Sequence, residues 1–487
     1  MTSSIEFQNF FRSLQLLNLL VDIGISHFIL CPGSRSAPLA IGAGELLKRG
    51  KIKLINSLDE RSAGFHALGI STVSAKNVAV ITTSGTAVAN LLPSAVEADR
   101  SCINLLYITA DRPLRLKDCG ANQTVNQEEF LLSTCKLFLN TNLKGLHQTS
   151  YSEIKNLISL ISKENLLNPG PIHLNVPFEK PLLISKKYRE EVLEIFDKEY
   201  VNKNISFSVN KIKNESCEIL DKVVKQINLD RSGLIIVGPY RGSTNDLFEF
   251  NKSLEIIQKL TGWPVFADPV SGVSSSLRGL VDHWEIIISK YKISLDFDQL
   301  LRIGPMSSSN VLEEFLLSFN GPHFLIKEKD SRDLDPIKKA LEYQFGLNKF
   351  VNQLMDKKGI KKITNKTLIP IANGLIDKGI KIKKIIRQHV LTNDHITELS
   401  IANLVPDLWP KNKPIMISAS SPIRDWLTFS GKEVFSRRCF SFRGASGIDG
   451  TLSIALGIAR IKNPLLLVTG DLSFLHDING WLNQDAK

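Results

Sequence analysis

The sequence lacks the patterns that mark zinc-binding, secreted and membrane-spanning proteins. Its six cysteines include no C-x-x-C pair and its nine histidines no H-E-x-x-H. Neither a zinc site nor a disulfide framework is indicated, and scattered thiols fit a reducing compartment. No apolar run reaches the roughly 18 residues that span a bilayer. The amino terminus has no basic stretch before an apolar one, and Glu6 interrupts it. We therefore expect a cytoplasmic protein with no membrane segment.

The net charge of +11 would fit a nucleic-acid-binding protein, but its distribution does not. Much of the positive charge lies in Lys-rich stretches such as MDKKGIKKITNK and IDKGIKIKK, where Ile and Asn separate the lysines. No basic stripe alternates with aromatic side chains on which bases could stack. A solvated surface is the simplest interpretation, and a positive field that attracts an acidic small substrate is the second. We expect no nucleic-acid partner.

The order of apolar runs predicts an α/β fold. A chain of 487 residues is too long for a single core. In its first third, short apolar runs that end in Gly, Ser, Asp or Pro alternate with helical stretches, which is typical of a parallel sheet covered on both faces. The pattern then recurs twice. We predict three successive doubly wound parallel-sheet domains, the third incomplete: a first domain over 1–185, a linker over 186–210, a central domain over 211–335, a connection over 336–394 and a third domain over 395–487.

Arginines lie in several of the loops that should bind ligands. In open parallel sheets, ligands bind beyond the carboxyl ends of the strands. Arg35, Arg112, Arg424 and Arg443 lie in the loops CPGSRS, TADRP, SASSPIRD and FRGASG, which follow such strands. Guanidinium groups bind carboxylates in bidentate fashion. If several of these side chains converge, the substrate should carry two or more carboxylates, whereas independent surface arginines would imply nothing.

Two acidic residues and one glycine-rich segment complete the candidate site. Asp471 follows the apolar run PLLLV and precedes a predicted helix, where a carboxylate can bind Mg²⁺ and backbone N–H groups can bind phosphate. Glu60 stands where a strand gives way to a helix. Either residue could instead be an ordinary acidic residue at a helix amino terminus. The segment RGASGIDG (443–450) has three glycines in eight residues, which suits a backbone that approaches a ligand closely.

These stretches together carry a resemblance to a known family. The set CPGSRSAPLA, LDERSAGFHALG, TTSGTAVANLLPSAVEA, ADRPLRLKDCGANQT, SPIRD, RGASGIDG and GDLSFLHDINGW resembles the 2-succinyl-5-enolpyruvyl-6-hydroxy-3-cyclohexene-1-carboxylate (SEPHCHC) synthases over nearly the whole chain. The resemblance implies a transferase of menaquinone or phylloquinone biosynthesis that depends on thiamine diphosphate (ThDP) and on Mg²⁺ or Mn²⁺. Its substrates would be 2-oxoglutarate and isochorismate. It also implies a homo-oligomer of at least two subunits, with the cofactor between the first domain of one subunit and the third domain of its partner.

The resemblance also implies roles for individual residues. Glu60 would be the catalytic carboxyl that bonds to the aminopyrimidine ring of ThDP, Ile448 would support the bent cofactor, and Asp471 would be the first metal ligand. The remaining cofactor contacts would be Gly444, Ser446, Leu472 and Ser473. The isochorismate side would be lined by Ser34, Arg35, Arg112 and Gln123. The carboxylate derived from 2-oxoglutarate would be bound by Ser420, Arg424 and Arg443.

The sequence departs from the family pattern in two places. Relatives tend to have a substrate-binding lysine after GPM, where this chain runs through serines to Asn310. The family also completes its metal site with an asparagine some two dozen or more residues beyond the Gly-Asp pair, and 16 residues follow Asp471 here. Asn479 and Asn483 are too close to replace it. The resemblance therefore implies a truncated third domain, with the second metal ligand beyond the chain end.

Two alternatives to this function stay open. One is a related ThDP enzyme that acts on another 2-oxoacid, such as an acetohydroxyacid synthase or a decarboxylase. The other is a truncated product without catalytic activity. A nicotinamide-dependent dehydrogenase is not supported, because GAGELL lacks the third glycine of the dinucleotide-binding pattern.

Overall fold

A computed structural model describes residues 4–74, 76–200, 220–242, 244–291 and 296–483. These residues form two compact units. The first unit comprises the described residues up to 200 together with 444–461 and 471–483. The second comprises the described residues from 220 to 443 together with 462–470.

The first unit contains a parallel sheet with the strand order β2-β1-β3-β4-β6-β5 among the described residues. All of its pairings are parallel. The strands β3, β4 and β6 are buried along their whole length, as expected for apolar strands covered on both faces. The sequence prediction missed β5. The strands are β1 His27–Leu30, β2 Lys53–Asn56, β3 Val78–Thr82, β4 Leu105–Asp111, β5 Leu137–Asn140 and β6 Pro171–Pro177.

Helices with recognisable caps cover this sheet. Ser4 begins α1 by accepting the N–H of Phe7, and Ser150 and Glu153 form a reciprocal capping box at the start of α6. The helices of this unit are α1 Ile5–Asp22, α2 Ala37–Lys48, α3 Glu60–Ser74, α4 Thr86–Ala89, α5 Leu92–Ser101, α6 Tyr151–Leu167 and α7 Lys186–Tyr200, and, from the third predicted domain, α16 Thr451–Ile461 and α17 Asp471–His476.

The segment 186–200, which was predicted as a linker, belongs to the first unit. It forms α7, and its Val192 and Phe196 are buried in the same hydrophobic core as Phe10 of α1. Apolar side chains four residues apart lie on one face of a helix, so this charged-looking segment still has a face to bury. The rest of the predicted linker, 201–210, lies outside the described residues.

The second unit contains a central parallel sheet with the order β11-β10-β9-β7-β8 among the described residues. Its strands are β7 Gly233–Val237, β8 Val265–Ala267, β9 Gln299–Ile303, β10 His323–Ile326 and β11 Leu341–Tyr343. The helices near them in sequence are α8 Leu220–Gln226, α9 Leu247–Thr261, α10 Trp284–Tyr291, α11 Asn310–Ser318, α12 Gly346–Lys357 and α13 Pro370–Thr392.

The central sheet extends past the predicted boundary at residue 335. Strand β11 pairs with β10, and Phe350, Val351 and Leu354 of α12 are buried in the core of this sheet. The predicted connection 336–394 therefore begins with residues that complete the central sheet, because β11 and α12 bury apolar side chains that a solvated connection would leave exposed.

A third parallel sheet, also in the second unit, has the order β13-β12-β14 among the described residues. Its strands are β12 Ile415–Ile417, β13 Cys439–Phe440 and β14 Leu466–Val468, and its helices are α14 Glu398–Leu408 and α15 Ser421–Phe429. The three residues of β12 are buried, whereas those of β14 are only half-buried at the sheet edge. The apolar run before Asp471 thus forms a strand that is only half-buried. Parallel sheets alternating with helices nonetheless confirm the predicted α/β fold.

None of the helices within the described residues combines the length and the apolar character needed to cross a bilayer.

Helices α3 and α16 approach each other closely because glycines lie between them. A Cβ atom at Gly69 of α3 would lie 2.2 Å from the carbonyl oxygen of Ile454, and one at Gly457 of α16 would lie 2.3 Å from the carbonyl oxygen of His66. No real Cβ is found at such distances from backbone atoms. The contact therefore requires glycine at both positions.

We expect Gly457→Ala to destabilise the first unit by about 1–3 kcal/mol, since the added methyl group must push two backbones apart. Gly44→Ala in α2 is the matched control. Nothing lies within 4 Å of a Cβ built there, so the substitution should be stabilising by about 0.5–1 kcal/mol through helix propensity. Urea unfolding measures both. Equal effects of the two substitutions would contradict the tight contact.

Asp477 ties the segment after α17 to the amino terminus of α16. The residue is 0% exposed, and its carboxylate accepts the backbone N–H of Ser453 at 2.6 Å and the Ser453 hydroxyl at 3.0 Å. Arg61 of α3 lies 4.0 Å away. Burial raises the pKa of Asp477 to about 6 despite these partners, because a charged carboxylate loses its hydration there.

This raised pKa predicts a pH-dependent stability. The folded protein binds the proton of Asp477 more tightly than the unfolded chain, so the stabilisation is complete below about pH 4 and is lost as the pH rises through about 6. Asp477→Asn keeps an oxygen acceptor but cannot ionise. Relative to wild type, we expect the variant to gain about 2–3 kcal/mol in its free energy of unfolding between pH 4 and pH 8. Urea unfolding across this range tests it, and parallel pH profiles would refute the assignment.

Candidate active site

Glu60 is the first residue of α3, at the carboxyl edge of the first sheet. The preceding residue, Asp59, caps the helix by accepting the N–H groups of Arg61 and Ser62 at 2.9 and 3.3 Å. Because Asp59 performs the capping, Glu60 is not needed for it. Its half-buried side chain lines a cavity instead.

The cavity at Glu60 has a volume of about 450 Å³, which lies in the range of small-molecule sites. Asn479 forms part of its wall and donates to Asp59 Oδ2 at 2.9 Å, while Arg61 donates to the carbonyl oxygen of His476 at 2.9 Å. The segment after α17 is thereby fixed beside Glu60, an arrangement that sequence reasoning missed. The cavity is lined by Leu58, Asp59, Glu60, Arg61, Asn90, Asn479 and Leu482.

Arg35, Arg112 and Gln123 come together at the same edge of the first sheet. Arg112 donates to the Ser84 hydroxyl, to the carbonyl oxygen of Gln123 at 2.7 Å and to its side-chain oxygen at 3.4 Å. Arg35 donates to the carbonyl oxygen of Phe178 at 2.7 Å. Ser34, beside Arg35, is exposed. Four residues predicted from two separate motifs thus lie at one end of the sheet.

The two guanidinium groups are buried and influence each other. Arg35 and Arg112 are only 6% and 8% exposed. Burial lowers the pKa of both, and the positive charge of Arg112 lowers that of Arg35 further, while Glu179 and Asp111 raise it. Two partly desolvated cations this close to each other form a site that favours an anionic ligand.

A buried polar network that sequence reasoning missed supports Arg112. Asp111 accepts the N–H of Arg112 at 2.7 Å and the side-chain amide of Asn175 at 2.9 Å. Gln127 donates to Asn175 at 2.8 Å and accepts the N–H of Gly85 at 2.9 Å. Lys117 lies 2.9 Å from Asp111. No short motif marks these residues, because strands distant in sequence bring them together.

The glycine-rich segment 444–450, which was predicted to approach a ligand, makes close contacts with other parts of the protein. The N–H groups of Gly444 and Ser446 donate to Glu97 at 2.8 and 3.2 Å. A Cβ at Gly450 would lie 1.9 Å from the ring of Phe65 in α3. Close approach to a neighbouring helix therefore already accounts for Gly450. Ile448, the predicted support of the cofactor, is half-buried.

The predicted metal ligand stands at the start of α17. Asp471 and Leu472 are exposed and Ser473 is buried. Within the described ranges, no group of three or more His, Cys, Asp or Glu side chains could hold a metal ion.

The remaining predicted substrate residues belong to the second unit. Ser420 precedes α15 in a left-handed conformation (φ 73°), and Arg424 is exposed one turn into that helix. The carbonyl oxygen of Arg443 accepts a hydrogen bond from Arg241 at 2.8 Å. Asn310, at the position where relatives have a lysine, is the exposed first residue of α11.

Arg443 also lies near a buried carboxyl. Burial raises the pKa of Asp268, while the positive charge of Arg443 lowers it. Arg443 therefore has an acidic neighbour within its own unit. A substrate carboxylate would have to compete with Asp268 for this guanidinium group.

Comparison with known proteins agrees with the motifs. Residues 13–130 match the family model described as the thiamine pyrophosphate enzyme, N-terminal TPP binding domain. The chain is 60% identical over 486 residues to the 2-succinyl-5-enolpyruvyl-6-hydroxy-3-cyclohexene-1-carboxylate synthase of Prochlorococcus marinus strain MIT 9215, a match that covers 100% of this chain and 83% of the relative. It is 44% identical to the enzyme of the same name from strain NATL2A, covering 100% of this chain and 82% of the relative. The chain belongs to the SEPHCHC synthase family of thiamine-diphosphate enzymes.

Proposed function

We propose that this chain catalyses the decarboxylation of 2-oxoglutarate and the addition of the resulting succinyl unit to isochorismate, giving SEPHCHC and CO₂. This reaction makes it a ThDP-dependent transferase of menaquinone or phylloquinone biosynthesis. The observation that carries the proposal is the buried pair Arg35 and Arg112, which provides two cations for a substrate with carboxylates. Family membership over the full length of the chain supports it.

The residues around Glu60 fit the cofactor. A half-buried carboxyl that lines a cavity of about 450 Å³ can hold an aminopyrimidine ring by a hydrogen bond. When bound, ThDP supplies the electron sink that accepts the electron pair left by CO₂. Glu60 would hold and orient the ring and exchange a proton with it. Ile448 would support the cofactor from segment 444–450.

The remaining predicted cofactor residues lie in segment 444–450 and at the start of α17. The N–H groups of Gly444 and Ser446 already donate to Glu97, so these residues would contact the cofactor through other atoms. Leu472 and Ser473 would lie beside its diphosphate. We propose Asp471 as a ligand of Mg²⁺ or Mn²⁺.

Substrate binding is divided between two groups of arginines. Arg35 and Arg112, with Ser34 and Gln123, would bind the carboxylates of isochorismate and orient its ring. Arg424 and Arg443, with Ser420, would bind the carboxylate that derives from 2-oxoglutarate. Guanidinium groups suit both tasks, because each presents paired N–H donors to a planar carboxylate.

We also propose a homo-oligomer of at least two subunits in the cytoplasm, with an active site shared between them. The support for the oligomer is the family resemblance. The support for a reducing compartment is that the described cysteines, Cys31, Cys102, Cys119, Cys135 and Cys439, are free thiols.

The direct test is to incubate the 487-residue chain with ThDP, Mg²⁺, 2-oxoglutarate and isochorismate and to measure SEPHCHC by mass spectrometry. We expect product formation that requires all four components and that falls at least about a hundredfold in Glu60→Gln, because the amide cannot exchange a proton. Calorimetric titration with ThDP separates binding from turnover. Product from pyruvate in place of 2-oxoglutarate would indicate a different ThDP carboligase, and a chain that binds ThDP without turnover would be inactive as it stands.

The two arginine groups predict opposite substrate effects. We expect Arg112→Ala to raise the KM for isochorismate about ten- to a hundredfold, the cost of losing charge-assisted hydrogen bonds, with little change in the KM for 2-oxoglutarate. Arg424→Ala should do the reverse. Steady-state kinetics with each substrate varied in turn measures both.

Each variant is the control for the other, and the ThDP requirement is a third reference. Arg112 also bonds to Ser84 and Gln123, so its removal could loosen the sheet edge. A parallel increase in the ThDP requirement would reveal such loosening. Equal changes in both substrate KM values in either variant would contradict the division.

A further inference from the structure

An internal anion holds the glycine-rich segment 444–450. Glu97 lies in α5 and is 4% exposed. Its carboxylate accepts the N–H of Gly444 at 2.8 Å, that of Ala445 at 2.7 Å and that of Ser446 at 3.2 Å. The hydroxyl of Ser101 donates to it at 2.7 Å. Three consecutive backbone N–H groups that converge on one point form the kind of nest by which proteins bind anions such as phosphate.

The segment is shaped to bring its backbone onto this carboxylate. A Cβ atom at Gly444 would lie 2.7 Å from both Glu97 Oε1 and Ser101 Oγ and 2.8 Å from Arg100 Cβ. Ser446 adopts a left-handed conformation (φ 61°), which is uncommon for a residue with a side chain. The close contacts at Gly444 and the backbone conformation of Ser446 both cost free energy, which a segment lying freely on the surface would avoid. The contact with Glu97 offsets them.

We propose that Glu97 is a positioning residue for the cofactor. Its carboxylate fills the nest of segment 444–450, which fixes the place of Ile448 and keeps the diphosphate of ThDP from binding to the same three amides. The part that concerns ThDP rests on the proposed function. A diphosphate is the natural competitor for such a nest, but Glu97 is attached to the chain and so acts at a high effective concentration.

Removal of the carboxylate should expose an anion site. In Glu97→Ala the three N–H groups lose their acceptor, and a small carboxylate added to the solution can enter in its place. Glu97→Gln retains an oxygen acceptor without the negative charge. Glu191→Ala, at an exposed position of α7, removes a carboxylate that makes no contact with this segment and is the matched control.

Hydrogen exchange of the peptide 441–450, followed by mass spectrometry, tests the role without any need for turnover. We expect the amides of 444–446 to exchange at least about tenfold faster in Glu97→Ala, in line with the strength of hydrogen bonds to a charged group. Glu97→Gln should be intermediate and Glu191→Ala unchanged. Sodium acetate should restore slow exchange in Glu97→Ala, and sodium chloride of equal ionic strength should not.

The Kd for ThDP provides a second measurement, because a change in it that acetate reverses would not follow from a merely structural role of Glu97. By calorimetry, the Kd for ThDP should rise at least about tenfold in Glu97→Ala and return toward the wild-type value with acetate. Inorganic phosphate should also bind to Glu97→Ala and slow the exchange of 444–446, and it should have no such effect on wild type.

The proposal would be overturned if the amides of 444–446 exchanged in Glu97→Ala at the same rate as in wild type. It would also be overturned if chloride slowed their exchange as much as acetate does. If Glu97→Ala does not fold, the test rests on Glu97→Gln. An exchange rate equal to that of wild type in Glu97→Gln would then overturn the proposal. Faster exchange with an unchanged Kd for ThDP would overturn the cofactor part. Absence of ThDP binding in every variant, including wild type, would count against the proposed function, and the exchange pattern would still show whether Glu97 holds the segment.

Discussion

The first unit depends on the close contact between α3 and α16. Gly69 and Gly457 leave each helix without a side chain at the point where it meets the carbonyl oxygen of the other. The same approach places Gly450 against the ring of Phe65 and so brings segment 444–450 beside the helix that begins with Glu60. A larger residue at either helix glycine would move Glu60 relative to segment 444–450.

Buried ionisable side chains are the second organising feature of the unit, and their partners differ. Arg35 and Arg112 donate their hydrogen bonds to carbonyl and hydroxyl oxygens, and the carboxylates Glu179 and Asp111 act on them through their charge. Glu97 accepts three backbone N–H groups, whereas Asp477 accepts one and has a pKa raised by burial. The two buried cations suit a ligand with carboxylates, whereas the two acidic residues hold segment 444–450 and the residues after α17 in place.

Much of the fold could be predicted from the sequence because apolar runs that end in Gly, Ser, Asp or Pro mark buried parallel strands. The strands that such runs predicted all form, and the motif residues Glu60, Arg35 and Arg112 lie at the carboxyl edge of one sheet. The prediction failed where the pattern is weak. Strands β5 and β11 are short, and α7 looks like a linker because its exposed face is highly charged while Val192 and Phe196 are buried.

The sequence by itself determined the α/β class, the family and the types of side chain available for chemistry, since these follow from periodicity and from motifs that are continuous along the chain. Only the tertiary structure decided which partners those side chains have. Glu97 is one glutamate among many until α5 meets the amides of 444–446, and Asn175 is one strand residue until it bonds to Asp111. Such contacts join residues far apart in sequence, and the distances and burial that give them their energy exist only in the folded chain.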